Sequence, residues 1–149
     1  MSIRNATLDE VPVVVMLAQA MHAETSYREQ KFDPSKVAEL FVRLVQEEPG
    51  CLLVVDKDDV LVGFLAGGIG EDYFGPGQFA FEFGVYLDPN HRGGVCGARL
   101  VQAFLAWADS LGVHRKHMAV STGITTDRTG ALYEKLGAER AGNLYTWGM

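Results

Sequence analysis

The stretch NHRGGVCGARLV, residues 90–101, combines the residue types best suited to bind an anion. It lies between an aromatic, β-branched run typical of a strand and a run with apolar residues at helical spacing. The first N–H groups of a helix lack intrahelical partners and lie at the positive end of its dipole, so they attract anions. Gly93, Gly94 and Gly97 allow a phosphate to approach the backbone, and Arg92 adds a charge-assisted hydrogen bond. The alternative interpretation is a Gly-rich turn that only starts the helix.

Two common phosphate-binding motifs do not fit this stretch. A P-loop needs Lys and then Ser or Thr after its last Gly, whereas Ala98, Arg99 and Leu100 follow Gly97. A dinucleotide-binding motif needs Gly-x-Gly-x-x-Gly near the first strand, and this stretch lies past the middle of the chain. The pattern excludes a P-loop nucleoside triphosphatase and does not match a dinucleotide fold.

Length, charge and cysteine content limit the class of protein. The 149 residues fit one domain, residues 1–149, with a single core. The net charge of −6 argues against a nucleic-acid binder and mildly favours cationic partners such as amines. There is no export signal and no apolar run long enough to span a membrane, so a cytoplasmic protein with free Cys51 and Cys96 is expected. The histidines show no metal-ligand spacing, so no metal is expected.

Hydrophobic periodicity and helix caps predict the elements of the first third. A short strand at residues 2–6 is followed by two helices. Thr7 and Glu10 have the spacing of a capping box, and Asp33 with Pro34 forms a second helix start.

The middle of the chain predicts strands. Residues 51–70 form two β-branched runs around a turn, which is typical of a hairpin, and residues 78–87 form a further strand. In that strand Glu82 is expected to share one face with Ala80, Gly84 and Tyr86.

The last third predicts a helix after the Gly-rich stretch, a strand at residues 116–122, a helix at 127–137 and a closing strand at 142–149 in which Trp147 packs. The order β-α-α-β-β-β-α-β-α-β indicates an α/β (α+β) fold. We expect a mixed, mostly antiparallel sheet of about six to seven strands flanked by about four helices.

Two motifs together resemble those of the GCN5-related N-acetyltransferases, the GNAT family. VYLDPNHRGGVCGARLV is followed by RTGALYEKLGAER at the family's spacing. The family's pyrophosphate loop reads Gln/Arg-x-x-Gly-x-Gly/Ala, so Arg92 takes its first position and Gly97 its last. Val95 stands where the family usually has its middle Gly. The element order agrees along the whole chain.

The resemblance implies acetyl-CoA as co-substrate. The pyrophosphate would lie on the loop, and the pantetheine amides would pair with the strand before it, which in this family is splayed from the next strand, so that strands four and five separate. Thr126 stands where many relatives carry an Asn near the cofactor. The cofactor-binding positions implied are Val85, Tyr86, Leu87, Arg92, Gly93, Gly94, Val95, Cys96, Gly97, Ala98 and Thr126.

The resemblance also implies two proton-transfer groups. Tyr133 matches a Tyr that protonates the departing CoA thiolate, and a phenol of pKa about 10 suits that role. Glu82 in FEFG matches a position at which several relatives carry a general base. A base is needed because an ammonium group has no lone pair for attack. The N–H of Val85 would meet the oxyanion. Taken alone, Tyr133 is also compatible with core packing and Glu82 with a surface carboxylate.

The acceptor pocket is expected to form from two segments, HAETSYREQKF at residues 22–32 and DYFGPG at residues 72–77, with Glu24, Tyr27, Tyr73 and Phe74 as lining residues. The expected function is transfer of an acetyl group to a primary amine by direct attack in a ternary complex. A polyamine, an aminoglycoside-like amine, an amino acid and a protein amino group all remain open as acceptors. The alternative is an acyl-CoA-binding sensor or docking module without turnover. The aromatic residues of the last strand are compatible with a homodimer.

Overall fold

A mixed sheet forms the centre of the structure, a computed structural model that describes residues 1–123 and 125–148. In this part of the chain the sheet has five strands in chain order, all pairing antiparallel except the parallel pair β4–β5. The strands are β1 (Ser2–Asn5), β2 (Gly50–Lys57), β3 (Val60–Glu71), β4 (Gln78–Leu87) and β5 (Lys116–His117). The helices are α1 (Val11–Glu24), α2 (Pro34–Gln46), α3 (Cys96–Ser110) and α4 (Thr126–Lys135). The expected α/β class with a mostly antiparallel, mixed sheet and about four helices is confirmed.

The sheet has fewer strands than the six to seven expected. Residues 138–148 form no regular secondary structure, so the closing strand predicted at 142–149 is wrong over its described part, and Met149 lies outside the described residues. Trp147, expected to pack in that strand, is 89% exposed. Of the strand predicted at residues 116–122, only Lys116–His117 forms a strand, β5. A strand pattern produces a strand only where a neighbouring edge supplies hydrogen bonds, and the chain leaves β4 directly after β5.

Two apolar clusters cover the two faces of the sheet. On one face α1 and α2 pack over residues such as Val54 and Phe64. On the other face Leu100 and Phe104 of α3 pack over Leu65. Strands β2 and β3 are buried on both faces, which explains their nearly continuous apolar sequences. Among the described residues, no helix combines the length and apolarity needed to cross a membrane.

The predicted helix starts are confirmed. The Glu10 carboxylate accepts a hydrogen bond from the Thr7 N–H at 2.9 Å, in a short 3₁₀ turn that leads into α1. Asp33 caps α2 by accepting from the N–H groups of Ser35 and Lys36 at 3.1 and 3.2 Å. The two caps satisfy backbone N–H groups at both helix starts and so stabilise them.

A β-bulge interrupts β4. Gly84 pairs with Ala66 and Glu82 pairs with Gly67, so Phe83 is the extra residue. The prediction of strict alternation along β4 is therefore wrong: Ala80 packs in the cluster beneath α3, whereas Tyr86 packs in the cluster beneath α1 and α2. One inserted residue exchanges the faces of everything beyond it, and bulges often lie beside active sites.

Candidate active site

A cavity opens where β4 and β5 separate. The two strands pair only at Ala80 with Lys116 and Phe81 with His117. Beyond these pairs lies a cavity of about 830 Å³, lined on one side by residues 82–87 of β4 and on the other by residues 119–122, which follow β5. The ends of α1 and α4 and the Gly-rich loop complete its wall. This geometry agrees with the splayed strands that the sequence resemblance implied.

Glu82 lies at the point where the strands separate. Its carboxylate accepts a hydrogen bond from the Ala119 N–H at 2.8 Å, across the gap between the two segments. Burial raises the pKa of Glu82 to about 7, although the hydrogen bond from Ala119 acts in the opposite direction. A carboxyl group with this pKa can accept and release a proton near neutral pH.

Tyr133 presents a buried hydroxyl to the same cavity. Within the described residues its oxygen has no hydrogen-bond partner. Burial, and secondly the negative charge of Glu82, raise the pKa of the phenol above its usual value near 10. The group therefore stays protonated at neutral pH, and a buried donor without a partner is available to a ligand.

The Gly-rich loop has the open backbone that an anion needs. Gly93 has φ +89°, in the left-handed region that favours glycine, and a Cβ at Gly94 would meet no atom within 4 Å. Val95, which replaces the family's middle Gly, has φ −81° and immediately precedes α3, so this departure introduces no backbone strain. The side chains of Val95 and Cys96 lie outside the cavity lining, whereas Gly97 and Ala98 contribute to it.

Arg92 points towards the end of α1. Its Nε donates to the Leu87 carbonyl at 2.8 Å, and its guanidinium forms an ion pair with Glu24 at the end of α1. The same guanidinium lies over the Tyr86 ring, 5.4 Å from the ring centre. Arg92, a predicted cofactor residue, and Glu24, a predicted acceptor residue, are thus ion-paired and connect the Gly-rich loop to α1.

The segment after α1 is fixed to the opposite wall of the cavity. The Ser26 N–H donates to the Thr122 carbonyl at 2.8 Å, and the Tyr27 hydroxyl lies 3.4 Å from the Ser121 hydroxyl. Tyr27 and Glu24 both line the cavity, as the acceptor hypothesis requires.

Besides Val95 and Cys96, three predicted site residues do not line the cavity. Tyr73 and Phe74 lie in the turn between β3 and β4, where they are 90% and 84% exposed and contact each other with ring centres 4.0 Å apart. Thr126 begins α4 and is exposed rather than part of the cavity lining, to which Thr125 and Thr129 contribute.

Arg128 is a site residue that the sequence reasoning missed. Its Nη2 lies 2.9 Å from the position of a Cβ at Gly93, so its guanidinium lies against the Gly-rich loop. It also lines the cavity. A signal was present in the sequence, because a cation in the first turn of a helix opposes the helix dipole and needs an anionic partner to offset that cost.

Comparison with known proteins identifies the family. The sequence matches the Acetyltransferase (GNAT) family over residues 17–138. The chain therefore belongs to the GNAT acetyltransferase family, whose members generally use acetyl-CoA as co-substrate. This confirms the resemblance found in the Gly-rich loop and in the segment around Tyr133.

Solved structures share the fold at low sequence identity. An aminoglycoside acetyltransferase, HMB0005, from an uncultured soil metagenomic sample is 16% identical, with 99% of this chain and 97% of that chain covered and a TM-score of 0.74. An aminoglycoside 6'-N-acetyltransferase from Acinetobacter haemolyticus is 15% identical, with 100% and 98% covered and a TM-score of 0.76. A transcriptional regulator from Bacillus halodurans C-125 is 19% identical, with 99% of each chain covered and a TM-score of 0.79. No curated protein sequence matches this chain.

Proposed function

We propose that this protein is an acetyl-CoA-dependent N-acetyltransferase that transfers an acetyl group to a primary amine by direct attack within a ternary complex. The observation that carries the proposal is the placement of Glu82 and Tyr133 in one cavity, at the separation of β4 and β5. With its pKa raised to about 7, the Glu82 carboxylate can accept a proton near neutral pH. The raised pKa of Tyr133 keeps its hydroxyl protonated. Amine acetylation needs both functions.

The loop and the open strand fit the two polar parts of acetyl-CoA. The first turn of α3 and the loop before it offer backbone N–H groups at a helix N-terminus, and Arg128 adds a positive charge beside Gly93. The edge of β4 from Val85 to Leu87 faces the gap left by β5, so its backbone can pair with the pantetheine amides.

The chemistry needs one proton acceptor and one proton donor. Glu82 removes a proton from the acceptor ammonium, and the freed lone pair forms a bond to the acetyl carbonyl carbon. The backbone N–H of Val85 stabilises the negative oxygen that develops. The carbon–sulfur bond then breaks, and Tyr133 donates its proton to the departing thiolate. The former amine nitrogen still carries one proton more than the amide product and gives it to the Tyr133 phenolate, and Glu82 releases its proton to water, which restores both groups.

Direct transfer agrees with the state of the two cysteines. Burial raises the pKa of Cys51 to about 12 and also raises that of Cys96. Neither thiol lines the cavity. A covalent acetyl-cysteine intermediate would need an accessible thiolate, which these environments oppose.

Thiol release from acetyl-CoA in the presence of a panel of primary amines tests the proposal. The wild-type protein should release CoA only when an acceptor is present, and Glu82→Gln should slow this release. If acetyl-CoA binds and stabilises the protein while no amine is acetylated, the protein is an acyl-CoA sensor and the proposed function is wrong.

A further inference from the structure

The cavity wall carries very little negative charge, although the whole chain carries a net charge of −6. In the described part of the chain, Glu24 and Glu82 are the only carboxylates that line it. The cations that line it are more numerous: Lys31, Arg92, Arg128 and Lys135. The acidic surface of the protein therefore does not extend into the site.

Both carboxylates already have partners. Glu24 is ion-paired with Arg92, and Glu82 accepts a hydrogen bond from the Ala119 N–H and serves as the proposed base. An acceptor with several ammonium groups would place its additional charges in the cavity without a carboxylate to meet them. Burying an unpaired charge costs far more than burying an uncharged polar group.

The acceptor end of the cavity is mostly apolar. It is formed by the end of α1, the segment that follows it, the inner face of α2 and Phe64 of β3, and its polar side chains include His22, Tyr27, Gln30 and Lys31. The apolar side chains that line this end are Met21, Phe32, Val37, Leu40, Phe41 and Phe64. Phe32 also contacts the His22 ring, with ring centres 5.4 Å apart. A wall of this kind binds an apolar body, because burying apolar surface is the main favourable term available there.

We infer that the acceptor is a small hydrophobic monoamine, with one amino group on an apolar or aromatic body, and that polycations such as polyamines and aminoglycosides are poor acceptors. The inference rests on the proposed function, since it names the substrate class of that site. The amino group lies at Glu82, and the body lies against the half-buried side chains of Met21, Phe32 and Leu40.

The test is a series of primary amines assayed as acceptors with the wild-type protein. Ethylamine and 2-phenylethylamine carry the same reactive group on bodies of different size, and spermidine and kanamycin are polycations. The value of kcat/KM should be at least about tenfold higher for 2-phenylethylamine than for ethylamine, since even one methylene in an apolar pocket changes it by about tenfold or more. It should also exceed the values for both polycations.

A charge variant checks that the wall causes this preference. Phe32 lies in a loop and is only half-buried, so Phe32→Glu is expected to fold. It should lower kcat/KM for 2-phenylethylamine by about tenfold or more and raise it for spermidine. Met16→Glu introduces the same charge at an exposed position on α1, outside the cavity, and should change neither value.

The outcomes separate the inference from the proposed function. If spermidine or kanamycin is acetylated as well as 2-phenylethylamine or better, the inference is wrong, while the proposed function stands. Equal values for ethylamine and 2-phenylethylamine would also overturn the inference alone. Acetylation of no amine at all, despite bound acetyl-CoA, would overturn both.

Discussion

Glu82 and Tyr133 have their pKa values raised by the same cause, burial beside the separated strands, but with opposite effects on their use. For Glu82 the shift brings proton exchange into the neutral range. For Tyr133 the shift keeps the phenol protonated at neutral pH, so that a proton donor is present where the thiolate is proposed to depart. In the proposed mechanism the pair divides the two proton transfers of amine acetylation between an acid and a base.

Tyr133→Phe tests the proton donor. The substitution removes one hydroxyl that has no partner among the described residues, so acetyl-CoA binding should persist and thermal stability should not fall. Turnover should fall by about 10²- to 10⁴-fold, the usual contribution of a positioned acid. The measurements are kcat with a responsive amine and the melting temperature with and without acetyl-CoA. Unchanged turnover would remove Tyr133 from the mechanism.

Glu82→Gln tests the base through its pH dependence. A base acts when deprotonated, so wild-type kcat/KM should rise with pH through about 7, the raised pKa of Glu82. The variant should lose this inflection, and its defect should shrink as the pH approaches the pKa of the amine, about 10, where the acceptor is already neutral. The measurement is kcat/KM from about pH 6 to 10. A defect of the same size at every pH would reduce Glu82 to a positioning group.

The residue types of the site could be predicted from sequence, but their contacts could not. Glu82 and Tyr133 were identified from motifs that lie in contiguous segments. The ion pair of Arg92 with Glu24 joins residues 68 positions apart, so no local pattern indicates it. The positions of Tyr73 and Phe74 depend on which way a turn projects, which the sequence of the turn does not specify.

At the level of elements, the Gly-rich loop and the separation of β4 from β5 create the site together. The loop was predictable because its glycines and the following helix form one continuous pattern. The extent of the gap between β4 and β5 could not be predicted, because the segment after β5 has a strand-like sequence and still leaves the sheet. The bulge at Phe83 could not be predicted from the sequence either, since an inserted residue is defined only by the register of β4 with β3.

Gly94→Asp tests the loop. A side chain at Gly94 meets no atom within 4 Å, so the fold should tolerate it, but its carboxylate would lie where a phosphate must approach. Acetyl-CoA at about 100 times its dissociation constant should stabilise the wild type by about 2.7 kcal/mol and the variant not at all. Gly75→Asp is the matched control, because Gly75 is equally open but lies in the turn between β3 and β4. Equal ligand-induced shifts in both variants would contradict the loop assignment.

At the scale of the whole molecule, a cluster of charges connects the first strand to the rest of the sheet. The Arg4 guanidinium donates to Glu10 at 2.8 Å and to Asp56 at 2.9 Å. The hydrogen bond from Arg4 lowers the pKa of Glu10 to about 2. A lowered carboxyl pKa stabilises the folded state above the unfolded value of about 4.5, and this contribution is lost as the pH falls towards 2.

Arg4→Met tests this cluster. At pH 7 the variant should lose about 1 kcal/mol of unfolding free energy, a value typical of partly exposed ion pairs. The difference between variant and wild type should decrease as the pH falls from about 5 to about 2, because Glu10 becomes protonated. Urea unfolding at several pH values measures it. A difference that stays constant with pH would show that Arg4 stabilises the fold by packing alone.

The central claim is that this cavity transfers acetyl groups from acetyl-CoA directly to an amine. The most direct measurement is a single-turnover reaction of the wild-type protein with acetyl-CoA carrying an isotopically labelled acetyl group and with 2-phenylethylamine. Labelled N-acetylated amine and free CoA should form in equal amounts, with no label on the protein. Label retained on the protein would contradict direct transfer. Acetyl-CoA that stays bound and unconsumed with 2-phenylethylamine and with every other amine of the panel would contradict the claim that the protein is an enzyme.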